Sequence, residues 1–312
     1  MALAHRCLRQ VPESGPKGPS SSAAEPITPR STATSRIWPK PVDERAILPA
    51  YEVLAIKYAE TVRPAHDLFF RPAPTEGPGA LDYYVWLIRG HGQCVLVDTG
   101  FGPTAASRRG RTLLRSPADV LMHLGCDSAS LADVVLTHLH YDHAGDLGSY
   151  PQARFIVQNQ EIAGATGRDM RHAVCNHAFD IENIVEIVRL VHDGRVHFVR
   201  GDTNLAPGIS LHLLGGHTRG LQGVRVNTPR GWVMLASDGL HLYRNLQESN
   251  PFPVFLDLPR VLDAGEKALS LADSMEHLIP GHDPLIAQRF PSLVGMPYVF
   301  RVSAPPLDDH RN

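Results

Sequence analysis

Val134-Val135-Leu136-Thr137-His138-Leu139-His140-Tyr141-Asp142-His143 carries a short β-branched apolar run directly into three imidazoles and one carboxylate. The apolar part reads as a buried strand and the rest as a loop at its end. Neutral imidazole and carboxylate are the ligand set that suits zinc and similar divalent metals. Side chains alternate along a strand, so His138 and His140 share one face; a turn then lets Asp142 and His143 address a second, nearby point. The spacing suggests two adjacent metals.

Four ligands are too few for two ions, so further His and Asp are expected at turns that follow apolar runs. Three stretches supply them: Leu213-Leu214-Gly215-Gly216-His217-Thr218, Leu235-Ala236-Ser237-Asp238-Gly239 and Leu278-Ile279-Pro280-Gly281-His282-Asp283. The glycines before His217 and His282 allow φ > 0 and carry no Cβ, so the loop can approach a metal closely. One HxH pair is unremarkable in a chain with 17 histidines; seven matching positions in order are not. Outside the pattern, His91, His123, His172, His177, His192, His197, His212 and His277 are expected in surface or structural roles. Asp146 and Asp283 read as loop hydrogen-bonders.

Outward from the motif, Tyr51 to Tyr58 is rich in strand formers. Tyr83 to Ile88 and Cys94 to Val97 form a hairpin across Arg89-Gly90-His91-Gly92-Gln93, ending in Asp98-Thr99-Gly100. Leu114 to Leu124, Gln158 to Ala165, Ile181 to Val191 and Val261 to Ala272 have helical spacing. Arg154 to Val157, Val196 to Val199, Ile209 to Leu214, Leu221 to Val226 and Trp232 to Ala236 read as strands. Two strand-rich halves flanked by helices predict a layered sandwich. Pro, Ser, Thr, Ala and Gly dominate from Val11 to about Glu44, too little apolar surface to offset ordering entropy. Residues 1–44 are therefore expected to be a disordered N-terminal extension and residues 45–312 one folded domain.

The 312 residues are 43% hydrophobic and 20% charged, an ordinary globular composition. Thirty basic against 32 acidic residues give a net charge of −2, so no overall field draws the chain to nucleic acid or an anionic membrane. No 18-residue apolar run is present to span a bilayer, and Met1 to Gln10 lacks the apolar core of a secretory signal. Cys7, Cys94, Cys126 and Cys175 show no CxxC spacing and read as reduced, mostly buried thiols. Together these predict a cytoplasmic protein. The absence of GxSxG, of a Walker loop and of GxGxxG opening a helix after a strand argues against the common serine hydrolase and nucleotide-binding readings.

The set HxHxDH plus His217, Asp238 and His282 resembles the metallo-β-lactamase fold superfamily of hydrolases, from about Tyr51 to Pro291. That resemblance implies a four-layer αββα sandwich. It implies that His138, His140 and His217 hold one divalent metal and Asp142, His143 and His282 a second, with Asp238 bridging them together with a hydroxide. The metals would be zinc, and Asp98 of the Asp98-Thr99-Gly100 turn would support the site from behind. Ser237 to Tyr243, Pro251-Phe252-Pro253 and Ile279 to Pro284 are similar to the N-acyl homoserine lactonases, which implies attack on a lactone carbonyl. Those lactonases have a tyrosine three positions after the bridging aspartate. Here His241 stands there, with Tyr243 two further on, so His241 or Tyr243 is expected to steady the carbonyl while Asp142 orients the nucleophile and moves a proton. The implied partner is a small lactone or ester, with no nucleic acid or membrane. The alternative is a glyoxalase II-type thioesterase, against which the short, mixed segment Ser292 to Asn312 offers no obvious basic patch. Oligomeric state is left open.

Overall fold

Along β1 (Glu52–Pro64), Val53 and Ala55 point to one side and Leu54 and Ile56 to the other, and all four are fully buried. A strand apolar on both faces belongs between two layers. The computed structural model describes residues 48–71 and 77–307; the expected N-terminal extension lies outside them. β2 (Pro78–Gly90) and β3 (Gln93–Val97) pair antiparallel as the hairpin read from the sequence. Next come α1 (Pro103–Arg109), β4 (Thr112–Leu113), α2 (Pro117–His123), β5 (Asp133–Val135), β6 (Arg154–Gln158), α3 (Asn159–Ala165), α4 (Ala173–Asn176), α5 (Ile181–His192) and β7 (Val196–Val199). β3, β5, β6 and β7 run parallel, so their carboxyl ends share one edge.

The second sheet is a meander of β8 (Thr203–Ala206), β9 (Ile209–Leu213), β10 (Gln222–Thr228) and β11 (Gly231–Ser237). After α6 (Tyr243–Gln247) and α7 (Leu258–Leu271), β12 (Leu278–Pro280) adds parallel to β11. α8 (Leu285–Arg289) then leads to β13 (Ser292–Leu293) and β14 (Met296–Arg301), which return to the first sheet beside β1. Trp86, Val97, Val135 and Ile156 of the first sheet meet Leu211, Val224, Val233 and Leu235 of the second in the central core. The outer face of the first sheet packs on Val120, Leu121, Ile184 and Ile187 of α2 and α5. Met234 and Ala236 on the outer face of the second pack on Ala264 and Ala268 of α7. This is the αββα sandwich expected from the sequence.

Some local readings shift. The helix expected from Leu114 begins at Pro117, because Ser116 accepts the Asp119 N–H and proline suits the first helical position. The segment beyond Pro291, read as a tail, supplies β13 and β14, and burial of Val299 and Phe300 holds it. Cys94 and Cys126 are not reduced thiols. They form a disulfide, because the edge of β3 and the loop after α2 bring their Cα atoms to 6.7 Å across 32 residues of sequence, a proximity that spacing does not reveal. Cys175 is free. Among the described residues, no helix is long and apolar enough to cross a membrane.

Trp86 is completely buried between the sheets. Trp86→Ala is expected to lower unfolding free energy by about 3–5 kcal/mol, as cavity formation in a close-packed core does; urea denaturation reads the loss, and a change under about 1 kcal/mol would contradict this packing.

Candidate metal centre

All the loops that matter leave strands at one edge of the sandwich. Residues 136–143 follow β5, Asp98 follows β3, His217 lies between β9 and β10, Asp238 follows β11 and His282 follows β12. Backbone pairing ties the two sheets there, with Gln222 N–H donating to the Thr137 carbonyl at 2.9 Å. Distant parts of the chain thereby reach one point.

Three overlapping donor groups result, the third being Asp238, His241 and His282. His138, His140, His217 and Asp238 form the first, and Asp142, His143 and His282 the second; within each, the ligand atoms lie within 4.8 Å of one another. In the first, His140 Nδ1 lies 3.1 Å from His138 Nε2 and 2.9 Å from His217 Nε2, and Asp238 Oδ2 lies 3.1 Å from His217 Nε2. In the second, His282 Nε2 and His143 Nε2 lie 3.8 and 3.7 Å from Asp142 Oδ2. Asp238 joins the two, its Oδ1 being 3.0 Å from His282 Nε2 and 3.2 Å from His143 Nε2.

The far side of three of these rings is fixed by an acceptor. His143 Nδ1 is 2.8 Å from Asp98 Oδ2, His217 Nδ1 2.6 Å from the Val254 carbonyl and His282 Nδ1 2.9 Å from the Asp82 carbonyl. Holding Nδ1–H in this way leaves the Nε2 lone pair facing inward, the arrangement a metal-ligating histidine requires. Nitrogen lone pairs converging at about 3 Å repel unless a cation lies among them. His143 Nε2 and Asp238 Oδ1 are moreover buried with no hydrogen-bond partner among the described residues, which is costly for groups this polar. The donor set fits divalent cations.

Electrostatics follow the same division. Burial, reinforced by neighbouring imidazoles, holds His138 and His140 well below the usual histidine pKa. Burial also opposes charge on His143 and His282, but Asp238 and Asp142 outweigh it and raise both, with Asp98 adding to the effect at His143. Asp238 would be pushed up by burial, yet His241, His143, His282 and His217 hold its carboxyl well below the ordinary range.

Supporting residues explain why the loops hold. Asp98, at φ +65°, accepts from Thr137 N and Oγ1 at 2.7 and 2.8 Å besides binding His143. Ser237, at φ +48°, hydrogen-bonds Thr137 Oγ1 at 2.9 Å; such left-handed backbone is uncommon for residues with a side chain. Gly281 is required, since a Cβ there would fall 2.9 Å from Asp238 Oδ1. Glu161 of α3, absent from the sequence reading, is a buried clamp. Its Oε1 accepts from Leu139 N at 2.9 Å, and its Oε2 accepts from Thr218 Oγ1 at 2.7 Å and Gly220 N at 2.8 Å, joining two ligand loops.

His241 reaches the site and Tyr243 does not. His241 Nε2 is 3.0 Å from Asp238 Oδ2, its ring stacks on Phe252 at 4.2 Å, and burial pushes its pKa down to about 4 despite Asp238. Tyr243 begins α6, where its side chain turns outward from the cluster and donates to the Leu278 carbonyl at 2.9 Å; the expectation that it steadies a carbonyl is corrected on that ground. Asp283 accepts from Tyr243 N and Leu285 N, a loop hydrogen-bonder as expected. The donor groups open into a cleft whose walls include Tyr83, Tyr141, Phe252, Arg63 and Arg111.

Residues 78–282, more than half the chain, match the family profile of the Metallo-beta-lactamase superfamily. The chain belongs to the metallo-β-lactamase superfamily. It is a metallo-hydrolase of that superfamily, with the fold and donor set described above. N-acyl homoserine lactonase AiiA of Bacillus thuringiensis subsp. kurstaki is 24% identical over 209 residues, covering 62% of this chain and 74% of its own length. A probable metallo-hydrolase of Mycobacterium tuberculosis is 27% identical over 232 residues, covering 66% and 72%. Among solved structures, a quorum-quenching N-acyl homoserine lactone lactonase superposes with TM-score 0.63 at 21% identity, over 77% of this chain and 95% of that one. The dizinc quorum-quenching lactonase AidC does so with TM-score 0.61 at 18% identity, over 76% and 89%. At such identities the superpositions speak for the fold.

Asp98→Asn removes the acceptor that orients His143. Metal affinity, measured by competition with a chromophoric chelator, is expected to fall about 10–100-fold, as loss of an orienting carboxylate does, with the circular dichroism spectrum unchanged. An unaltered affinity would contradict the role given to Asp98.

Proposed function

We propose that the protein is a dinuclear zinc hydrolase that opens lactone rings, N-acyl homoserine lactones or a related lactone or ester. The observation that supports this most is the division of the Asp238 carboxylate, one oxygen toward His217 and the other toward His143 and His282. Divalent cations held by these groups supply Lewis acidity, lowering the pKa of a water toward neutrality and polarising a carbonyl. His138, His140 and His217 would be ligands of one, Asp142, His143 and His282 of the other, and Asp238 of both.

The remaining tasks fall to side chains at the cleft. Asp142, at its floor, is placed to accept a proton from the attacking water and return it to the leaving oxygen. His241 takes the carbonyl-steadying position, and its stack against Phe252 fixes the ring. Phe252 also borders a shallow second pocket with Leu246, Val261 and Leu262, apolar walls against which part of an acyl chain would pack. The likeness to lactonases named above supports a lactone over other carboxylic derivatives. Cytoplasmic location belongs to this proposal as well. A Cys94–Cys126 bridge persists more readily in an oxidising compartment, so cell fractionation with thiol titration decides that part.

The test is a turnover panel with metal-loaded protein: acyl homoserine lactones, simple γ- and δ-lactones, aryl esters and S-lactoylglutathione. Lactone turnover is expected, and His140→Ala is expected to abolish it with the fold intact. Hydrolysis of the thioester alone would overturn the lactonase reading in favour of the glyoxalase II type. His241→Ala is expected to lower lactone kcat by about 10²-fold, the lower end for a group that moves or shares a proton. Tyr243→Phe is expected to cost about 1 kcal/mol of stability through its lost hydrogen bond and to leave kcat within a factor of about two; equal kcat losses in both variants would contradict the division of roles.

A further inference from the structure

The cleft has a cationic mouth that a neutral lactone would leave unused. Arg63 on β1 and Arg111 just before β4 both line it, each half-buried. The Arg63 guanidinium lies over the Phe252 ring, 6.0 Å from its centroid, and Phe252 stacks on His241. Arg111 donates Nε–H to the Tyr141 hydroxyl at 3.1 Å; that hydroxyl lies 3.5 Å from Tyr83 Oη, and the Tyr83 ring meets His282 edge-on at 5.0 Å. Aromatic bridges thus tie the two arginines to His241 and His282, whose rings stack 5.4 Å apart.

Several other arginines here have a carboxylate. Arg109, at the same cleft, is paired with Asp180; Arg89 and Arg301 share Glu52, and Arg154 has Asp133. Among the described residues Arg63 and Arg111 have no ion pair, and Arg63 has no hydrogen bond at all. Both guanidiniums line the same cleft as Tyr83, His140 and His282. The carboxylates nearest that space, Asp142 and Asp238, are committed to the donor groups. A guanidinium without an ion pair at the wall of a cleft offers its donors to an anion that enters it.

We propose that Arg63 and Arg111 form an anion subsite, so that the preferred substrate is an ester or lactone bearing a carboxylate or phosphate on the portion remote from the carbonyl that is cleaved. This rests on the hydrolase reading and narrows it to acid-bearing members. The guanidinium fork matches the oxygens of either group. The subsite makes and breaks no bond; it places the carbonyl over the donor groups by holding the other end.

The test compares kcat/KM of full-length, metal-loaded protein for para-nitrophenyl hexanoate, mono-para-nitrophenyl adipate and a phosphate-ended ester of the same length. An acid-to-neutral ratio of about tenfold or more is expected, the size of one charge-assisted hydrogen bond, and the larger of the two acid ratios identifies the group. The ratio should fall as salt rises, drop several-fold in Arg63→Met through KM, and be partly retained in Arg63→Lys. Arg63 carries the decision because its replacement breaks no hydrogen bond; Arg154→Met, at the opposite end of β6, should keep the wild-type ratio. A ratio near one, or one unmoved by Arg63→Met, overturns the subsite. If no ester is cleaved, the hydrolase reading fails and calorimetric titration of glutarate and inorganic phosphate judges the subsite alone: binding weakened in Arg63→Met supports it, and binding absent or insensitive to that change overturns it.

Discussion

One buried carboxylate divides its two oxygens between two sets of imidazoles, and the surrounding structure is arranged to keep it there. Asp238 Oδ2 lies against His217 and His241, Oδ1 against His143 and His282. An ionised carboxylate buried this deeply is stable only with positive charge or donors around it. The imidazoles whose Nδ1 atoms are held by Asp98, Val254 and Asp82 turn Nε2 toward it, the atom that carries either a proton or a metal. Carboxylate and imidazole nitrogens together call for cations, and that demand explains why a central cluster so rich in histidine coexists with a dry, close-packed core on either side of it.

The sandwich answers the demand through its geometry. Parallel strands β3, β5 and β6 end at one edge, and β11 and β12 of the second sheet end at the same edge. Loops leaving such an edge converge without long excursions. Convergence alone would leave them loose. Asp98, Thr137 and Ser237 fasten the β3, β5 and β11 loops to one another, and Glu161 fastens the β5 loop to the one carrying His217. Positive φ at Asp98 and Ser237 shows local backbone preference yielding to this network.

The clustered donors were legible because each lies within a few residues of a strong apolar run, so the strand and its chemistry announce themselves together. His138 to His143 after β5, Asp238 after β11 and His282 after β12 are of this kind. Glu161 was not legible: it is one polar residue in a short helix, and only burial gives it meaning. Arg63 and Arg111 belong to no motif, and only their place in the wall of the cleft gives them meaning. The Cys94–Cys126 contact spans strand edge and loop, and β14 resembles a tail until β1 is beside it. Tyr243 failed for a related reason. Its position relative to Asp238 is near enough in sequence, but the start of α6 turns its hydroxyl to Leu278. Pattern locates donors along the chain; which way a side chain faces is settled by packing.

The most direct measurement of the central claim is anomalous diffraction from crystals of the zinc-loaded protein, collected above and below the zinc edge. Two peaks are predicted, one on the Oδ2 side of Asp238 among His138, His140 and His217, the other on the Oδ1 side among Asp142, His143 and His282. A single peak, or density coordinated by residues elsewhere, would contradict the account.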